Sequence, residues 1–99
     1  MKNRKILNCF KEKLEPKMKN FEIIFKDFKN GDFGELLQIE FNSTKIGGNI
    51  DLWSKGWLGI FLWDFENDEE IMNILNEPNE EKSKEANLNS LESIILKNL

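Results

Sequence analysis

The sequence predicts an α+β domain: an antiparallel β-meander of four to five strands, with an N-terminal and a C-terminal helix packed on one face. Three observations lead there. Apolar residues recur at helical spacing near both ends of the chain, at Ile6, Leu7, Phe10 and Leu14 and again at Leu88, Leu91, Ile95 and Leu99. Between them, short segments alternate apolar and polar side chains with the period of a strand. The connections between those segments are short, which favours antiparallel pairing of consecutive strands over crossovers. With 99 residues the chain has room for one core and therefore one domain, 1–99.

The first helix is expected over about 3–15, with Asn3 as its cap and Pro16 as its breaker. Cys9 lies at the edge of its apolar stripe and is expected to be a small residue flanking the core. Phe21-Glu22-Ile23-Ile24-Phe25 is β-rich and opens a strand over about 21–28. Asn30-Gly31-Asp32-Phe33-Gly34 is a turn cluster. The next strand, about 35–42, sends Leu37, Ile39 and Phe41 one way and Gln38, Glu40 and Asn42 the other. Ser43-Thr44-Lys45 turns the chain into a strand of about 48–53, and Gly47-Gly48 at its start signals a bulge or a close backbone approach.

The hairpin of residues 50–65 carries the most information. A two-residue loop, Lys55-Gly56, would pair Trp53 with Leu58 and mix both faces. A three-residue loop, Ser54-Lys55-Gly56 with Gly56 left-handed, pairs Trp53 with Trp57, Leu52 with Leu58 and Ile50 with Ile60. That register places Ile50, Leu52, Leu58, Ile60 and Leu62 on an aliphatic face and Trp53, Trp57, Phe61, Trp63 and Phe65 on an aromatic one. A one-residue slip would reverse every side chain, so the sorting register is preferred. The partner strand of this hairpin is expected over about 57–65. Ile71, Met72, Ile74 and Leu75 fit a short final strand, about 70–75, or a helical turn, and Asn76-Glu77-Pro78-Asn79 ends it. The last helix, about 80–98, has Glu80 and Glu81 in its first turn, with Ile94 beside the Leu88, Leu91, Ile95 and Leu99 stripe. Each helix has a single apolar stripe and so needs a sheet face to cover; the aliphatic face is its natural partner, which leaves the aromatic one unexplained.

Composition excludes much chemistry. There is no His, so no Ser-His-Asp or Cys-His machinery and no ordinary zinc or haem site is expected. A single Cys forms no internal disulfide and no CxxC pair. Asp64, Glu66 and Asp68 alternate as in a cation loop but lack the glycine and terminal Glu of an EF-hand. Gly47-Gly48 is not followed by the Lys-Ser/Thr of a phosphate loop. Paired-carboxylate chemistry needs a cleft that a flat meander of this size rarely makes. A non-catalytic protein with no catalytic residue, no cofactor and no metal is the expectation. No apolar run approaches the ~18 residues of a membrane span, and the start has no usable hydrophobic signal region, so no membrane association and a cytoplasmic location are expected.

Charge is unevenly placed. Residues 1–29 hold nine Lys/Arg and four Asp/Glu, a net of +5, and residues 30–99 hold five and fourteen, a net of −9. Asp64, Glu66, Asp68, Glu69 and Glu70 begin a run without a basic residue that extends through Glu77, Glu80 and Glu81. An acidic rim beside aromatic side chains suits a protein partner of opposite charge, and direct nucleic-acid binding is not expected.

Asn49-Ile50-Asp51-Leu52-Trp53-Ser54-Lys55-Gly56-Trp57-Leu58-Gly59-Ile60-Phe61-Leu62-Trp63-Asp64-Phe65-Glu66 resembles a pattern of small bacterial immunity proteins: a strand ending in Trp, a Gly-bearing turn, and a second strand running into an acidic D-x-E turn. The nearest likeness is to the TriTu-type immunity family of polymorphic toxin systems, which also orders helix, meander and Leu-rich helix. The likeness covers about residues 46–75 by motif and the rest by element order. Trp57, Trp63 and the Asn/Lys-rich N-terminus depart from that family. The resemblance implies a cytoplasmic protein that binds and neutralises one cognate toxin without catalysis, and it transfers no functional residue.

The residues expected to bind the partner, a basic toxin domain, are Trp53, Trp57, Trp63, Asp64, Glu66, Asp68, Glu69 and Glu70. The alternative is a small acidic phage-encoded inhibitor that occupies the nucleic-acid channel of a host defence complex. A third class, a homodimer through the aromatic sheet face, uses the same side chains.

Overall fold

The computed structural model describes residues 2–29 and 31–99; Met1 and the Asn30 of the first turn cluster lie outside the described residues. An N-terminal helix α1 (Asn3–Cys9) widens into a π turn (Phe10–Leu14) and tightens into a 3₁₀ turn (Glu15–Lys17). Five strands follow, β1 (Glu22–Phe28), β2 (Leu36–Asn42), β3 (Ile46–Trp53), β4 (Leu58–Asp64) and β5 (Glu69–Asn76), then helix α2 (Glu81–Leu96). All neighbours are antiparallel, in the order β1-β2-β3-β4-β5. This is the α+β meander that the sequence predicts, with the last apolar segment a strand rather than a helical turn.

The winding of the first helix follows from its apolar spacing. Ile6, Phe10, Leu14 and Met18 recur every four residues and are all buried. A regular α-helix turns 100° per residue, so such a row drifts about 40° per step. The wider π turn offsets that drift and keeps Phe10 and Leu14 over the sheet. Pro16 sits in the 3₁₀ turn that ends the segment. Asn3 does not cap the helix: Lys2 occupies the cap position, and the Asn3 side chain instead donates to the Trp53 carbonyl at 2.8 Å. That bond ties the start of α1 to the end of β3.

The hairpin adopts the three-residue loop. Leu52 faces Leu58, Ile50 faces Ile60, the Trp53 N–H donates to the Trp57 carbonyl at 3.1 Å, and Gly56 is left-handed at φ 99°. Residues directly opposite across an antiparallel pair share a face. Ile39, Phe41, Ile50, Leu52, Leu58, Ile60 and Leu62 are all 2% exposed or less and join Ile6, Phe10, Leu91 and Ile95 in one core beneath the helices, with Leu37 packed at its edge. Each such side chain contributes about 1.5–3 kcal/mol of transfer free energy. The helices divide this face. Phe10 packs edge-on to Phe25 of β1 and beside Phe41 of β2, whereas α2 lies by β5, with the Asn87 side chain donating to Asn76 Oδ1 at 2.9 Å.

Two expectations for α2 need correction. Leu99 lies beyond the helix and is 48% exposed, so the stripe ends at Ile95 with Leu88 and Ile94 at its margin. Glu80 precedes the helix, and its carboxylate accepts the Glu77 N–H at 2.6 Å. Lys84, one turn before Leu88 on the buried stripe itself, is buried: its Nζ donates to the Pro78 carbonyl at 2.9 Å and to Glu81 Oε1 at 3.3 Å.

Candidate partner-binding surface

The face of the sheet opposite the helices carries the candidate site. Alternation sends Gln38, Glu40, Asn49, Asp51, Trp53, Phe61 and Trp63 there, and both α1 and α2 pack on the other face. Its centre is polar and internally bonded. Asp51 Oδ1 accepts the side-chain amides of Gln38, at 2.7 Å, and Asn49, at 3.1 Å, while Lys26 pairs with Glu40 at 2.6 Å.

The aromatic side chains do not form one patch. At one end, Trp53 lies over Gly59, whose missing side chain makes room for the indole, and the ring of Phe33 stacks on Trp57 at 4.3 Å and meets Trp53 edge-on at 5.5 Å. The turn that carries Phe33 is itself bonded to the hairpin loop, Ser54 N–H to the Glu35 carbonyl at 2.8 Å and Lys55 N–H to the Phe33 carbonyl at 3.2 Å. Trp53 and Trp57 are therefore half-covered by a neighbouring loop. At the other end, Phe61 and Trp63 stack at 6.4 Å and Phe65 leans over Gly47. Trp63 lies six residues beyond Trp57 along β4, roughly 20 Å of extended chain.

An open groove of ≈ 430 Å³ runs along the second cluster. Gly47 and Gly48 form its floor, Phe61, Trp63 and Phe65 one wall, and the Lys26–Glu40 pair the opposite side. The floor is low because Gly47, opposite Trp63 on this face, carries no side chain, and the backbones of β3 and β4 approach closely at Gly48. A Cβ on Gly48 would lie 1.9 Å from the Phe61 carbonyl oxygen. The expectation of a close backbone approach at this pair is met; the bulge of the sheet lies elsewhere, between Leu62 and Trp63 where β4 meets β5.

The acidic turn borders only the Trp63 cluster, since Trp63 faces Glu70 and Asp64 faces Glu69 across β4 and β5. Asp64 is occupied within its own turn. Its Oδ1 accepts the N–H groups of Glu66 at 2.9 Å and Asn67 at 3.1 Å, and its Oδ2 accepts the Asn67 side chain at 2.8 Å. The Asn67 side-chain bond, then its backbone N–H, hold the Asp64 carboxyl below its ordinary pKa. Asp68 adopts φ 53°, which closes the turn and leaves Glu66, Asp68, Glu69 and Glu70 exposed. Glu70 also accepts from the Asn73 side chain at 3.1 Å.

Of the eight residues expected at the partner surface, Trp63, Glu66, Asp68, Glu69 and Glu70 are thus brought to one end of the sheet. Asp64 shapes their turn, and Trp53 and Trp57 belong to the opposite end. Glu40, Asn49 and Phe33 were outside that set. The polar alternation of β2 and β3 points to the first two, while Phe33 has no periodic signal. Cys9 is half-buried at the margin of α1. Among the described residues no cluster of three His, Cys, Asp or Glu side chains is arranged to hold a metal ion, and no helix is long and apolar enough to cross a membrane.

Comparison with known proteins yields no matching family model, no matching curated protein and no matching solved structure.

Proposed function

We propose that this protein is an immunity protein: a non-catalytic domain that binds and neutralises one bacterial toxin, presenting the Trp63 end of its open sheet face to a basic surface of that toxin. One observation carries the reading. Stacked aromatic rings stand beside a groove on a sheet face that neither helix covers, and a turn closed by hydrogen bonds to Asp64 and bearing four exposed acids adjoins them. Aromatic anchors with an acidic margin combine desolvated contact with electrostatic steering. The rest of the domain is a scaffold: a five-stranded sheet buttressed from behind positions the rings without needing to move.

The test is growth rescue. The reading predicts a toxin domain encoded beside the gene for this chain, and cells expressing that domain should survive when the chain is co-expressed. Trp63→Ala and the triple reversal of Asp68, Glu69 and Glu70 to Lys should each weaken rescue while leaving circular dichroism unchanged. The reversal should slow association and flatten its salt dependence, whereas Trp63→Ala should speed dissociation. Failure of the wild-type chain to protect against any neighbouring toxin refutes the immunity reading. Inhibition of a nucleic-acid-binding defence complex would place the chain in the alternative class, and a dimer in sedimentation that Trp63→Ala dissolves would assign the face to a second copy.

A further inference from the structure

The two helices share the covered face of the sheet but do not pack flush against each other over its middle. α1 and its π turn lie on the β1–β2 side and α2 by β5, so a crevice remains above the central strand β3. Its volume is ≈ 170 Å³. Ile6, Phe10 and Leu14 wall it on one side, Leu88 and Leu91 on the other, and Ile50 is its floor. Four of these are buried hydrophobics of the first helix and the sheet, wetted by 8% or less of their surface, and Leu91 by 1%. Such a lining holds water poorly. An apolar cavity of about 150 Å³ takes up benzene, so this one accommodates a single ring or a short acyl chain.

The mouth of the crevice has a charge opposite to that of the whole protein. Lys5 of α1 and Lys13 of the π turn stand at one rim, two steps of four residues apart with Cys9 between them, and face Glu92 and Asn89 of α2. Both lysines are exposed, and among the described residues neither has an ion-pair partner. In a chain of net charge −4, the crevice that reaches the core therefore opens with two unpaired cations on one rim against the single carboxylate of Glu92 on the other.

We propose that this crevice is a binding site for a small organic carboxylate with one ring-sized apolar body. The body enters between Phe10 and Leu91 above Ile50, and the carboxylate stays at the mouth, where Lys5 and Lys13 donate to it. Burial of a ring supplies the attraction, and the paired lysines select the anion over its neutral or cationic counterpart. The site lies on the opposite side of the sheet from the proposed toxin surface and does not depend on that reading.

Three probes of one shape test it: 3-phenylpropionate, 3-phenylpropanol and 3-phenylpropylammonium, each titrated into the intact chain while methyl resonances of Ile50, Leu88 and Leu91 are followed by NMR. The propionate should shift these methyls saturably and bind about tenfold or more tightly than the other two. Lys5→Gln with Lys13→Gln should reduce its affinity to that of the alcohol. Leu88→Trp should fill the crevice and abolish the shifts, and the amide spectrum of each variant reports that the fold is kept. Absence of saturable shifts, equal affinity for the three probes, or undiminished propionate binding in the double lysine variant would each overturn the proposal.

Discussion

Gly47 and Gly48 are adjacent, chemically identical, and predicted to differ severalfold in their tolerance of a methyl group. In Gly48→Ala the new Cβ lies 1.9 Å from the Phe61 carbonyl oxygen, 2.9 Å from its carbon and 3.0 Å from Leu62 Cα. All three atoms are backbone of the neighbouring strand, so relief requires β3 and β4 to part where Gly48 faces Leu62 and Phe41 faces Gly48. Overpacking of a tight core costs typically 1–3 kcal/mol. With no rotamer able to yield, the cost here is placed at the top of that range, about 3 kcal/mol, and a domain of this size would lose about 12–24 °C in Tm. In Gly47→Ala the Cβ meets the Asn42 Oδ1 at 2.1 Å and the ring of Phe65 at 2.8 Å. Both are side chains, and Phe65 is already 48% exposed, so rotation relieves the clash for about 1 kcal/mol. The displaced ring changes the groove wall, so Gly47→Ala should weaken partner binding more than it weakens the fold. Urea unfolding at pH 7 gives both values from the shift in midpoint at constant slope. Equal destabilisation by the two substitutions, or a smaller effect at Gly48, would refute the reasoning.

Three further outcomes are expected. Trp53→Ala should destabilise the domain by about 3–5 kcal/mol because it empties the contact with Gly59 and Phe33, whereas Trp63→Ala should cost clearly less; calorimetric Tm values for the pair decide this. Lys84→Met leaves the Pro78 carbonyl without its donor and should cost about 1–3 kcal/mol in chemical denaturation, while Lys82→Met on the exposed side of the same helix should be near neutral. The Asp64 carboxyl is held below its ordinary pKa by bonds to its charged form, so it contributes stability that is present above the unfolded value near 3.8 and is lost as pH falls through the lower folded value. Asp64→Ala should therefore remove that acid-side dependence, seen as a wild-type-to-variant gap in urea midpoint that is constant above pH 5 and narrows toward pH 2.

Local pattern alone determined the meander, the two helices that back it, and the register of the β3–β4 hairpin. Face sorting is a strong constraint: one register segregates Ile50, Leu52, Leu58, Ile60 and Leu62 from the aromatic side chains, and the other mixes them. Helical stripes are similarly legible, because burial selects for spacing along one element. Tertiary structure alone decided what no single element contains. Pattern placed Trp53, Trp57 and Trp63 on one face, but that Trp53 and Trp57 are covered there depends on the Phe33 turn folding back onto the hairpin loop. Asn3 has the side chain of a helix cap, yet the Trp53 carbonyl, fifty residues away, competes for it. Lys84 is polar in any one-dimensional pattern, and only the Pro78 turn passing over it supplies the acceptor that makes its burial tolerable. Gly47 and Gly48 are indistinguishable as letters; that backbone stands against one and the exposed Phe65 ring against the other is set by how β3 pairs with β4. Period and polarity are properties of the chain near each residue, whereas cover, acceptors and clearance are supplied by segments distant in sequence, and those come into being with the fold.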